Sequence, residues 1–418
     1  MDSFIGTEVN WKKGTSLKRI LICSHAMEIG GAERSLLDLL HCMDYSRVQV
    51  DLFLYRHAGE WMNSIPKEVH LLPEIPQYAC LAVPMIQVLK KGHLGVLAGR
   101  IKGRRKAQRY DRTHQLKDSV VDLEYSHKYT CHYMPPIQPG IEYDLAISFL
   151  TPHYFVAEKV RAKKRIAWIH TDYSFVDMNV ESERKMWSKY EYIASISDSC
   201  KKGFISCFPE LEDRIISIEN ILAEQTVRNQ SEQDVSDEIP EERGVIRLLS
   251  IGRFSYAKNF DQLPEICSLI RKKGHNVLWY LIGYGDDTSI RQNIKKFGME
   301  NYVIILGKKE NPYPYIRACD VYIQPSRYEG KSVTVREAQM LHKPVIITRY
   351  PTSASQLKEG FDGIIVPQDN AGCAEGIAQA LSQPELLQTI AANTKKEDYS
   401  NRTELEKIYA LAEGKLWN

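Results

Sequence analysis

The sequence predicts two α/β domains, each a parallel sheet covered by helices, facing one another across a ligand cleft. Three observations predict it. Short apolar runs of strand character alternate with helix-like segments along most of the chain. This rhythm stops at an acidic stretch near the middle and then restarts. Glycines and charged residues gather just after the strands, at the edge where open α/β sheets bind ligands. At 418 residues the chain is also long for one core.

Composition narrows the class. With 43% hydrophobic and 26% charged residues, the chain reads as a soluble globular protein. A formal net charge of +2 carries no nucleic-acid signature. The nine cysteines show no C-x-x-C spacing, so buried reduced thiols are expected, with neither a zinc site nor a disulfide frame. The opening MDSFIGTEVNWKKGTSLK has no apolar signal core, and no run of about 18 apolar residues occurs. A cytoplasmic protein without a transmembrane helix is therefore expected.

Residues 1–17 read as a flexible tail and 18–222 as the first domain. KRILIC (18–23) is a buried strand, and Gly30-Gly31 leads into a helix from about Ala32 to Cys42. A glycine pair between first strand and first helix suits either a tight loop over a ligand or an ordinary turn. It is not G-x-G-x-x-G, so a nicotinamide dinucleotide site is not indicated. VQVDLFL (48–54), Val69–Leu72, YDLAISFL (143–150), KRIAWIH (164–170), YIASIS (192–197) and 214–220 are further strands. His170 ends its strand at the ligand edge. There it is either a structural histidine or one that bonds a sugar hydroxyl or phosphate or acts as a base. Between the third strand and YDLAISFL, the stretch 81–112 is apolar at first and then basic. Seven Lys or Arg stand against Asp111 alone over 99–112. This composition fits peripheral contact with an anionic membrane surface, and equally a solvated basic helix. It has no aromatic stacking array for nucleic acid. Residues 113–142 carry no clear pattern.

Residues 223–244 hold seven acids and Pro240 and read as an exposed interdomain linker. The second domain, 245–395, repeats the α/β rhythm with strands at 245–251, 277–282, 302–306, 321–323, 345–347 and 363–366. Gly252-Arg253 and Lys258 share one strand-to-helix loop, and two cations there suit a diphosphate. Gly283 and Gly285 end the next strand. After Val321-Tyr322-Ile323 come Glu329-Gly330-Lys331-Ser332 and a helix over about 333–341, with Glu337 on its second turn. Glu329 and Glu337 flank a helix N-terminus whose unpaired amides suit an anion. Residues 396–418 are expected to pack back toward the first domain.

Here the sequence resembles the retaining family-4 glycosyltransferases (glycosyl transferases group 1) of GT-B fold, of the bacterial cell-surface polysaccharide type. The resemblance covers nearly the whole chain. It rests on IGRFSYAKNF, YLIGYGDD, QPSRYEGKSVTVREAQ and KPVIITRY in order, with GGAERSLLDLL and WIHTD in the first half. It implies two facing Rossmann-like domains with an interdomain cleft. It also implies transfer of a hexose-type sugar from a nucleotide-sugar, UDP-sugar first among them, to a glycan or polyprenyl-linked saccharide with retention. Arg253 and Lys258 resemble the donor diphosphate clamp. Glu337 resembles the ribose ligand and Glu329 the carboxylate beside the donor sugar. By the same resemblance, His170 lies near the sugar and Gly31 near the phosphates. Gly252, Gly283 and the Gly330, Lys331 and Ser332 amides complete the donor site. The family needs no metal, and the sequence has no D-x-D. Many members carry an aromatic and a second glycine after Glu-Gly, where this chain has Lys331-Ser332. Two rival readings remain at this level: a GT-B sugar-nucleotide epimerase, and a nucleotide-sugar-binding protein without catalysis.

Overall fold

The structure is a computed structural model and describes residues 17–116 and 119–415. The tail read over 1–17 lies, apart from Leu17, outside the described residues, as do 416–418. The first sheet contains β1 (Lys18–Ser24), β2 (Val48–Leu54), β3 (His70–Leu71), β4 (Tyr143–Ser148), β5 (Ala162–Ile169), β6 (Tyr192–Ser195) and β7 (Ile215–Ser217). The second contains β8 (Ile246–Ile251), β9 (Val277–Ile282), β10 (Val303–Gly307), β11 (Val321–Gln324), β12 (Val345–Thr348) and β13 (Ile364–Val366). Their orders are β3-β2-β1-β4-β5-β6-β7 and β10-β9-β8-β11-β12-β13. The pairings are parallel, for example Ile20 with Val50 and Leu145, and Leu248 with Trp279 and Val321.

The strands are apolar on both faces because helices cover both. Along β9, Val277, Trp279 and Leu281 enter one core while Tyr280 and Ile282 enter the other. In each sheet the strand order reverses beside the first strand, at β1/β4 and at β8/β11. A crevice opens at such a reversal. The helix Leu405–Ala412 lies in the first domain's core, and Tyr409 Oη accepts from the Asp44 amide at 2.6 Å.

Three stretches differ from their sequence reading. The acidic segment 223–244 is not an exposed tether. It forms the helix Glu224–Gln230 and buries Val227 and Ile239 in the second domain's core. Two isolated apolar anchors, twelve residues apart among acids, outweigh the polar composition. The patternless 113–142 includes the helix Val121–Thr130, which packs along Leu94–His114. A Cβ at Gly99 or Gly103 would stand 2.6–2.7 Å from the carbonyls of Tyr129 and Tyr125, so glycine permits this close approach. Finally, Arg100 turns inward and donates to the carbonyls of Cys80 and Val83, leaving the basic face. The outer face keeps Lys102, Arg104, Arg105 and Lys106, and Ile86, Leu89 and Leu94 are exposed nearby in sequence. Among the described residues no helix is long and apolar enough to cross a membrane.

Candidate active site

The carboxyl ends of β1, β8, β9 and β11 converge on a cavity of about 480 Å³ between the two sheets. Gly31 of the first domain lines it, with Gly252, Arg253, Lys258, Gly283, Glu329, Lys331, Ser332 and Glu337 of the second. Residues from 31 to 337 thus share one wall because parallel sheets send their strand ends to one edge. A Cβ on Gly31 would meet nothing within 4 Å, so the backbone there is open to a ligand. Gly283 is needed for the opposite reason: a Cβ there would stand 1.9 Å from the Gly252 carbonyl. The Gly252 amide donates to the Ile282 carbonyl at 3.0 Å, which ties the two glycine loops together.

Lys258 is carried by a short turn that ends at Asn259, which adopts a left-handed backbone with φ of 62°. Its Nζ lies 2.5 Å from Glu329 Oε1, which also accepts from Ser326 Oγ at 2.6 Å. The two residues read as phosphate clamp and sugar carboxylate are therefore paired with each other. Arg253 is exposed to the cavity, its guanidinium carbon 5.9 Å from the Tyr284 ring centre. Glu337, on the helix Val333–Met340, is buried and accepts from Tyr313 Oη at 2.8 Å. Burial pushes its carboxyl up to about 7, against the pull of Arg34.

Four of the expected site residues stand differently from their sequence reading. The Lys331 side chain is turned away from a donor role: its Nζ pairs with Glu219 of the first domain, which Asn401 also contacts at 3.2 Å. The Ser332 amide was read as an anion donor, yet it donates to Gln356 Oε1 at 2.7 Å, and Gln356 Nε2 returns a bond to the Ser332 carbonyl. Gly330 lies beside Cys200 and, like His170, is not on the cavity wall. Around His170 are Phe149 and Trp168, with ring centres 4.4 and 6.0 Å away. Burial pulls its imidazole down to about 3, so it stays neutral and is a weak base.

The wall also includes Arg34, Trp61, Tyr284, Lys308 and Tyr313. Lys308 Nζ reaches Glu60 across the cleft at 3.0 Å. Arg34 approaches Glu337 from the first domain. The rings of Phe175 and Tyr328, one from each domain, stack with centres 5.6 Å apart at 17°. Arg34 has a signal as part of GGAER, Tyr284 stands between Gly283 and Gly285, and Lys308 follows Gly307 at a strand end; Trp61 and Tyr313 have none.

Two facing parallel-sheet domains with a cavity between their strand ends are the GT-B architecture. Residues 230–397, about two fifths of the chain, match the family Glycosyl transferases group 1. Among curated proteins, the chain is 28% identical over 146 residues to the amylovoran biosynthesis glycosyltransferase AmsD of Erwinia amylovora. That match covers 35% of this chain and 41% of the relative. It is 29% identical over 149 residues to the capsular polysaccharide biosynthesis glycosyltransferase CapM of Staphylococcus aureus, covering 35% and 39%. The chain thus spans about two fifths of the length of these relatives. Among solved structures, HepE of Anabaena with UDP and glucose superposes with a TM-score of 0.66 at 15% identity, over 95% of this chain and all of that one. A variant of S. aureus TarM, with fondaparinux, α-GlcNAc-glycerol and UDP, gives 0.65 at 14%, over 95% and 100%.

Proposed function

We propose that the protein is a glycosyltransferase. It moves a hexose-type sugar from a nucleotide-sugar, a UDP-sugar foremost, to a hydroxyl of a glycan or lipid-linked acceptor with retention, in cell-surface polysaccharide synthesis. The observation that carries this reading is the polarity of the cavity. Arg253 and Lys258 share the wall of one cavity with the buried Glu337, between two domains. The bond from the anomeric carbon to the diphosphate oxygen breaks, and its electron pair leaves with the diphosphate. Arg253, Lys258 and the Val333–Met340 helix N-terminus stabilise that growing charge. The acceptor oxygen bonds the anomeric carbon on the same face, and its proton passes to the departing phosphate oxygen. Lys258 exchanges Glu329 for phosphate as the donor enters, which frees Glu329 to accept from a sugar hydroxyl. The relatives named in polysaccharide biosynthesis and the neighbours bound to UDP support the substrate classes. An epimerase needs acid or base groups facing the sugar from both domains, and the neutral His170 lies off the cavity wall.

Nucleoside diphosphate release from a panel of UDP-, GDP- and ADP-sugars tests the proposal. Slow release from one donor, persisting in EDTA and accelerated by membrane extract, is expected. Tight nucleotide binding without release from any donor would overturn it.

The reading includes peripheral contact with the cytoplasmic membrane face through 81–112. The exposed Ile86, Leu89 and Leu94 would enter the acyl boundary beside Arg104, Arg105 and Lys106. Each cation contributes about 1 kcal/mol near an anionic surface, so neutralising these three should weaken vesicle partition by about 100-fold. Co-sedimentation with phosphatidylglycerol vesicles that is unaffected by the triple change would remove this part of the proposal.

A further inference from the structure

We propose that Arg34, on the first domain, binds the vicinal hydroxyls of the donor's ribose together with Glu337 of the second. It thereby makes closure of the cleft depend on a ribonucleotide. The inference rests on the donor reading above and adds a residue and a specificity to it.

Arg34 lies on the first turn of the helix Gly31–Cys42 and points across the cleft. Its Nη2 is 3.2 Å from Asp38 Oδ1, one turn further along the same helix, and its Nε is 4.0 Å from Glu337 Oε1. Its guanidinium carbon is 5.0 Å from the Tyr313 ring centre and 5.9 Å from that of Trp61. The side chain is largely buried and its Nε has no hydrogen-bond partner, while Nη2 faces Asp38, which also meets the Ala223 backbone. Arg34 and Glu337 attract, but at 4.0 Å they are too far apart for a hydrogen bond. Buried charged groups left in that condition are costly. Arg34 and Glu337 sit on the wall of a cavity, where a ligand can complete them.

The chemistry of the corner selects the ligand. One guanidinium faces two carboxylates, so a phosphate placed here would meet net repulsion. The diphosphate belongs beside Arg253 and Lys258, where cations predominate. A hydroxyl is neutral, and it both donates and accepts. A vicinal diol can therefore donate to Glu337 and accept from Arg34 at once. Tyr313 already donates to Glu337 Oε1, which directs a ligand hydroxyl to Oε2. Arg34 and Glu337 come from opposite domains, so a diol held by both is a clasp on the closed cleft. A deoxyribose would leave Arg34 unpaired, and the clasp would not form.

Calorimetric titration tests this with UDP, 2′-deoxy-UDP and 2′,3′-dideoxy-UDP against wild type, Arg34→Met and Arg34→Lys. GDP and its deoxy analogues replace them if the donor panel selects GDP. In wild type, removing the ribose hydroxyls should weaken binding by about 10- to 100-fold. Arg34→Met should weaken UDP by a similar factor and then show little further loss with the dideoxy compound. Arg34→Lys, which retains the charge, should recover part of the affinity and of the discrimination. Losses that simply multiply would assign Arg34 a structural role and overturn the inference, as would an Arg34→Met protein that binds UDP like wild type. The Lys variant and Glu337→Gln supply the same cycle if Arg34→Met does not fold. Failure of UDP, GDP and ADP alike to bind wild type would be a different result, since it removes the donor reading itself.

Discussion

The Arg253→Ala/Lys258→Ala double variant is expected to lose donor turnover by at least about 1,000-fold while its fold and melting temperature stay close to wild type. Removing one preorganised donor to a developing charge costs about 100- to 1,000-fold in rate. The two cations share one diphosphate, so their losses will be less than fully multiplicative. Both effects should fall more on kcat than on nucleotide affinity, because the diphosphate gains charge as the glycosidic bond breaks. The structure separates the two residues further. Arg253 is open to the cavity, whereas Lys258 must first leave Glu329, to which it is paired at 2.5 Å. The single Arg253→Ala change should therefore cost more than Lys258→Ala. Glu329→Gln should bind free nucleoside diphosphate at least as tightly as wild type, because Lys258 is released, and yet turn over poorly. Steady-state release rates beside calorimetric affinities decide this. Equal losses in rate and affinity for all three variants would show that these side chains only bind the ground state.

Much of the architecture was legible because parallel strands buried on both faces are written as short unbroken apolar runs. VLWYLI and VIIT could be read without knowing their neighbours. The cavity residues were legible where chemistry is local: Gly252, Arg253 and Lys258 share one loop, and Glu329 and Glu337 bracket one helix start. Partners far away in sequence were not. The Lys331 side chain's partner was hidden because nothing near it announces Glu219, which lies 112 residues earlier in the other domain. Ser332 looked like an anion site because Gln356, 24 residues later, is an unremarkable residue until the chain folds it onto that amide. Val227 and Ile239 were hidden among acids, since two anchors set no period. Arg34 was within a recognised motif but had no role until the domains faced each other.

Raising the pH from about 5 to 9 is expected to destabilise the wild-type protein, and Glu183→Gln to remove the largest single part of that loss. Glu183 lies on the helix Val180–Trp187, 2% exposed, and its Oε2 accepts from Trp187 Nε1 at 2.9 Å. Burial, reinforced by the Glu124 carboxylate, pushes its carboxyl up to about 8 from the ordinary 4.5. The sign follows from proton counting. Between those values the folded chain holds a proton that the unfolded chain has released. Stability is thus fully present below 4.5 and declines as pH rises through about 8. One pH unit corresponds to about 1.4 kcal/mol, so the whole interval is worth at most about 5 kcal/mol, and local relaxation will reduce it. Asp38 and Glu337, raised by burial to about 6 and about 7, act in the same direction over narrower intervals. Glutamine at 183 keeps an acceptor for Trp187 and never ionises, so the variant should gain on wild type progressively from pH 5 to 9. Urea denaturation at pH 5, 7 and 9, followed by tryptophan fluorescence, measures the difference. Stability curves that run parallel across this range would mean that Glu183 is ionised in the folded protein, with Trp187 and the helix supplying the solvation that burial removes.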